Sequence, residues 1–217
     1  MTYLKYLASV LILFPLCLHA QEKVSNDNYR NQHMPPSLEA PIKEALSYYP
    51  ELRGIAIDFV YRDHINHAVM QAQPRIKTLL RKKNKRVYKI KMQKLISLND
   101  TLKPLETLPH DIIVGWVAHE LGHVVDYLNR SSMDMVGFGM RYFTSRNYLR
   151  RAERRADTFA IKHGFATHLI KTKKYILMRD DLPEDYRARI DNLYISPEEV
   201  RAIEAEADAS ITTNLSN

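Results

Sequence analysis

The sequence of 217 residues holds a single cysteine, Cys17, only six glycines, and no apolar run long enough to cross a bilayer as a helix. A spanning helix needs about 20 consecutive apolar residues, so a polytopic membrane protein is excluded. The low glycine content, with ten prolines, excludes collagen-like and glycine-rich low-complexity chains. No repeat of solenoid or propeller period is present. Cys17 lies in the N-terminal apolar segment, so the chain from Gln21 onward contains no thiol. Neither a disulfide framework nor thiolate chemistry is open to that part. What remains is an ordinary globular balance, 45% hydrophobic and 26% charged, which argues against wholesale disorder and permits a self-sufficient core.

The N-terminus reads as a targeting segment. Lys5 precedes the 12-residue apolar run Leu7 to Leu18, and Leu18-His19-Ala20 puts a small residue at a cleavage point. That length suits a signal-peptide core, the alternative being an uncleaved anchor. Leu16 is too bulky for the position before a lipidated cysteine. The reading is a signal peptide over 1–20, a polar flexible arm over 21–36, and one domain over 37–217, exported to a periplasm or secreted. Residues 1–20 hold Lys5 and no acid, so their removal takes the formal charge from +7 to +6. An exported basic protein meets anionic lipid, cell-wall polymer or acidic protein rather than nucleic acid.

Periodicity places a short helix from near Pro41, with Ile42, Ala45, Leu46 and Tyr49 as its apolar stripe. Strands are expected at Gly54–Tyr61, His67–Gln71, Ile76–Leu80 and Arg86–Met92, the last two joined by the basic tip Arg81–Arg86. That tip is either a polyanion contact or a solvated hairpin whose charges discourage edge pairing. Helices are expected over His110–Leu128, Arg146–His163, Phe165–Met178 and Pro183–Tyr194, and a last one capped by Ser196-Pro197-Glu198-Glu199. Strands first and helices after give an α+β fold, a small antiparallel-type sheet packed on a helical part.

The chemistry sits in the helical part. His119-Glu120-Leu121-Gly122-His123 puts two imidazoles at i and i+4 on one face of a buried helix, close enough to share a cation. Glu120 lies about 100° round from His119, able to flank the ion without occupying it. A third protein ligand must come from downstream. The metzincin continuation needs Gly at 126 and His at 129, where this chain has Asp126 and Asn129. On the helix over 146–163, Leu149, Ala156, Asp157 and Ala160 fall within about 60° of Glu153, while Arg151, Arg154 and Arg155 point away. Two carboxylates thus lie on an apolar, small-residue face, where they repel unless a cation compensates. That cation is either Arg146 with Arg150, or the ion held by His119 and His123.

The pair of motifs, His-Glu-Leu-Gly-His and then Glu153-Arg-Arg-Ala-Asp157, resembles the gluzincin metallopeptidases, in which a Glu from an E-x-x-x-D segment completes HExxH. The Ala156-Asp157-Thr-Phe-Ala160 ending is similar to the family containing the CAAX prenyl endopeptidase and the heat-shock protease HtpX. The match covers about residues 110–165. Here 29 residues separate His123 from Glu153, and the transmembrane helices of the best-known members are absent, so their prenyl-protein substrate is not carried over. The resemblance implies one zinc ion per chain on His119, His123 and Glu153, Glu120 as catalytic base, and Asp157 as the acceptor that orients a ligand histidine. The expected activity is hydrolysis of peptide bonds in a protein or peptide substrate through a zinc-activated water. Tyr148, Arg146, His163 and His168 are candidates for the oxyanion donor such enzymes carry. Val87–Met92 is a candidate edge for an extended peptide. The rival reading is an inactive zinc-binding module whose working surface is the basic hairpin 81–86.

Overall fold

In the sheet, side chains alternate between core and solvent, and the register lines up the apolar ones on one face. A computed structural model of the chain describes residue 29 and residues 31–66, 68–98, 101–178 and 184–215. Strands β1 (Gln32–His33), β2 (Ala56–Arg62), β3 (Met70–Pro74) and β4 (Val87–Gln93) form a sheet of order β1-β2-β4-β3. Ile57 pairs with Tyr88, Phe59 with Ile90, and Ala72 also with Ile90. All five are buried, whereas Lys89, Lys91, Gln71 and Gln73 alternate with them on the outer face. A hairpin of β5 (Leu95–Leu98) and β6 (Thr101–Pro104) follows.

The helices are α1 (Glu39–Ser47), α2 (His110–Asn129), α3 (Ser132–Thr144), α4 (Arg146–Lys162), α5 (Ala166–Leu177), α6 (Glu184–Leu193) and α7 (Pro197–Leu215). The fold is α+β, as the pattern of strands before helices implies. Helix α2 is the hub, packed against α1, α4, α5 and β3. It is apolar nearly all round, which only a central helix tolerates. One hydrophobic cluster runs from Leu38 and Ile42 through Tyr88, Ile90 and Leu121 to Ile195 and Val200. No helix among the described residues is long and apolar enough to cross a membrane.

Several expectations need correction. The sheet is mixed rather than antiparallel, because β1, β2 and β4 run parallel and only β3 opposes β4. The partner of β4 is Met70–Pro74, not Ile76–Leu80. Pro74 lacks an N–H and ends the strand, and Ile76–Thr78 winds into a 3-10 turn. Val87 N–H donates to Thr78 Oγ1 at 3.0 Å, so a side chain closes the ladder there. The basic tip is a second 3-10 turn, Lys83–Lys85, and Arg86 is 2% exposed, donating to Arg130 O and Ser132 Oγ. Strand β4 is hydrogen-bonded on both sides, so Val87–Met92 cannot be the free edge; β3 is. The end of the expected flexible arm is tied down, since Gln32 is buried and its Nε2 donates to Leu52 O at 3.1 Å. The signal segment 1–20, residues 21–28 of the arm, His67 and Pro183 lie outside the described residues.

Candidate metal centre

Helices α2 and α4 meet closely because of small residues. A Cβ added at Gly122 would stand 3.0 Å from the Ala156 carbonyl carbon and closer still to its oxygen. Ala152, Ala156 and Ala160 are fully buried along the facing stripe of α4. This approach delivers Glu153 and Asp157 to the two imidazoles. His119 Nε2 and His123 Nε2 lie 3.2 and 3.5 Å from Glu153 Oε2. One ligand atom from each of the three residues lies within 4.8 Å of the others, and all three residues are buried.

The donor spacing fits a small, tetrahedrally bound metal ion. Bonds of about 2.0–2.2 Å in a tetrahedron give edges of about 3.3–3.6 Å, which the two nitrogen-to-oxygen separations match. His119 presents Nε2 to the centre because its Nδ1 donates to Asp157 Oδ1 at 2.7 Å. Asp157 is fixed in turn by Ile195 N–H on Oδ2 at 3.0 Å. A carboxylate behind a ligand histidine sets its tautomer and raises its basicity. Glu153 keeps one oxygen for the centre because Tyr142 OH donates to the other, Oε1, at 2.8 Å. His123 stacks on Tyr127 at 6.0 Å, and its buried Nδ1 finds no partner among the described residues. The buried His119–His123–Glu153 group can therefore hold a metal ion.

The electrostatics are those of a compensated cluster. Burial disfavours the His119 imidazolium, yet the hydrogen bond and charge of Asp157, with Glu153 and Glu120, hold its pKa well above the usual histidine value. Burial likewise raises Glu153, but the charge of His123 and the hydrogen bonds from both imidazoles carry it well below the usual carboxylate range. Glu120 goes the other way. Burial raises its pKa, Glu153 adds to the rise, and neither the two histidines nor the Ala72 N–H reverses it. That N–H donates to Glu120 Oε2 at 2.5 Å, and Tyr127 OH donates to Ala72 O at 3.3 Å. The edge strand β3 is thus pinned to α2 at Ala72.

Glu120, His123, Glu153 and Tyr142 open onto a cleft of about 660 Å³, walled by Met70–Gln73 of β3, Lys91, Arg62 and Tyr194. A second, mostly apolar cavity among Trp116, Leu169, Ile176 and Val200 also reaches His119 and Glu120.

Every residue expected at the centre is there, but the four expected oxyanion donors are not. Tyr148 packs on Phe138 beneath Arg151 and Arg155. His163 bonds to Phe159 O and Glu51, stacked on Tyr49. His168 sits between Glu44 and Phe165. Arg146 is exposed, as is Arg150, and neither pairs with Glu153 or Asp157 among the described residues. Imidazoles, not arginines, compensate those carboxylates. Asp126 is held by Arg130 and Arg155, away from the centre.

The tyrosines lining the cleft are Tyr142 and Tyr194, the latter tilted 5.1 Å from the His119 ring. The signal for Tyr142 lies in Ser131-Ser132-Met133-Asp134, a capping box that starts α3 and puts Tyr142 in its last turn. No protein-family description, no curated protein and no solved structure matches this chain.

Proposed function

We propose that this chain is an exported zinc-dependent endopeptidase of gluzincin type, acting on protein or peptide substrates. The observation that carries this reading is the convergence of His119, His123 and Glu153, with both imidazole nitrogens at tetrahedral-edge spacing from Glu153 Oε2, beside the buried Glu120 at the wall of an open cleft. Bound there, zinc would polarise a carbonyl and lower the pKa of its water to about 7.

The chain's own residues supply the rest. Ala72 N–H holds Glu120 Oε2, which leaves Oε1 to take a proton from the attacking water. A carboxyl raised by burial is a better base near neutral pH than an ordinary one and keeps the proton for the departing amine. Tyr142 and Asp157 keep Glu153 and His119 in place throughout. Charge developing on the carbonyl oxygen falls in the cleft lined by Tyr194, away from the four donors expected from the sequence. The substrate lies in the cleft walled by β3, whose Ala72 N–H and C=O are already taken by Glu120 and Tyr127. The apolar cavity next to His119 offers room for an aliphatic side chain.

The test pairs metal content with turnover. Glu120→Gln should retain about one zinc per chain and lose about 10²–10⁴-fold in hydrolysis of an unstructured protein. Glu153→Ala should lose tightly bound zinc. A chelator should abolish turnover, and added zinc should restore it. Unchanged turnover in Glu120→Gln, or no turnover in zinc-loaded wild type, would leave the zinc a structural element and the reading wrong.

A further inference from the structure

Residues 64–99 contain ten Lys or Arg and no Asp or Glu. Some of these charges are spoken for. Arg75 reaches Asp58, Lys83 the Asn129 carbonyl, and Arg86 is buried on Arg130 O and Ser132 Oγ. Lys77, Arg81, Lys82 and Lys85 are exposed and have no partner among the described residues. Between them stand Ile76 and Leu80, 81% and 88% exposed, the two most exposed large apolar side chains of the described residues. A loop that only needed solvation would have no use for aliphatic groups there.

A second apolar set adjoins the first. Met133, Val136 and Met140 are exposed at i, i+3 and i+7 on α3, within about 60° of one another round the helix. A Cβ added at Gly137, on the same stripe, would meet nothing within 4 Å. The two sets are joined by a hydrogen bond, Ser132 Oγ to Leu79 O at 2.6 Å. Leu80 and Met133 each directly follow one partner in it.

We infer that the loop 75–86 and the outer stripe of α3 form a docking surface for an anionic lipid bilayer. Ile76, Leu80 and Met133 enter the boundary between headgroups and acyl chains, while Lys77, Arg81, Lys82 and Lys85 lie among the phosphates. Aliphatic side chains interleaved with unpaired bases are what an interfacial segment requires. A single-stranded nucleic acid would call for aromatic stacking groups, and residues 75–86 contain none. Tyr142, which holds Glu153, belongs to the same α3. Docking therefore sets the cleft about a helix diameter, ~10–12 Å, from the headgroups. The surface stands whether or not the metal centre is catalytic.

The experiment uses the full chain and a reporter placed in the loop, because Leu7–Leu18 could partition into lipid by itself. In Leu80→Trp, the introduced indole is read against the partly buried native Trp116. Vesicles containing phosphatidylglycerol should blue-shift its emission, and brominated acyl chains should quench it; pure phosphatidylcholine vesicles should do neither. Adding Lys77→Gln, Arg81→Gln, Lys82→Gln and Lys85→Gln should weaken binding roughly a hundredfold or more, with far-ultraviolet circular dichroism unchanged. Adding Ile76→Ser and Met133→Ser to Leu80→Trp should also weaken the blue shift with the anionic vesicles. The inference is overturned by an indole that stays in water with anionic vesicles, by equal shifts with both lipids, or by the same shift with heparin alone.

Discussion

The metal centre and the basic loop each concentrate charge, and they do so under opposite rules. At the centre, five titratable side chains of both signs are 3–6% exposed, and nearly every polar atom has a specified partner. In the loop, charges of one sign stand in water, four of them with none among the described residues. Burial makes an unpaired charge costly, so the centre needs particular residues at particular distances. Exposure makes like charges cheap, so the loop needs only a sufficient sum. The first arrangement can recognise one ion, and the second an extended surface.

Breaking the centre should therefore cost far more than breaking the loop. In zinc-free protein, Glu153→Ala leaves His119 and His123 without their shared carboxylate. It should destabilise by about 3–5 kcal/mol in chemical denaturation, the range for removing one member of a buried pair. Asp157→Asn keeps the shape but weakens the acceptor behind His119, and zinc affinity should fall about 10–100-fold by competition with a chromophoric chelator. Gly122→Ala tests the helix contact itself. The added methyl meets the Ala156 carbonyl, and overpacking of this kind costs about 1–3 kcal/mol with some loss of zinc affinity.

The zinc-free protein should also show opposed pH limbs. His119 is raised in the fold, so its contribution is complete below the unfolded value near 6.5 and fades as pH rises through the folded pKa. Glu153 is depressed, so its contribution is present above the unfolded value near 4.3 and fades as pH falls through the folded pKa. Thermal melts across pH 4–9 should be highest in between and should lose the alkaline limb in His119→Gln. The smallest effect belongs to the loop. Lys82→Gln and Lys85→Gln should each change stability by less than about 0.5 kcal/mol, and a larger loss would mean that these lysines serve the fold.

The centre was legible in the chain because helical geometry is local. His119 and His123 share a face by their spacing alone, and Glu153 and Asp157 do so on the next helix. Ala152, Ala156 and Ala160 marked where the two could approach. The cap at Ser196 was equally plain, and its hydrogen bonds with Glu199 are present. The strand partner of β4 was not legible, since Ile76–Leu80 and Met70–Pro74 are both short apolar stretches. The choice between them turned on Pro74 and on a Thr78 side chain acting as backbone. Tyr142 and Tyr194 escaped because nothing in their own neighbourhoods points to Glu153 or His119. The four donors expected instead were near in sequence but turned to Glu51, Glu44, Phe138 or solvent.

The sequence by itself determined which side chains could bind an ion and that two helices would carry them, because spacing along a helix converts directly into direction. Only the tertiary structure decided what surrounds that ion: β3 as the edge strand, Ala72 on Glu120, Tyr142 on Glu153, and Ile195 on Asp157. Those contacts join residues 11 to 48 positions apart. Their geometry is set by how whole elements pack, and no local periodicity encodes it.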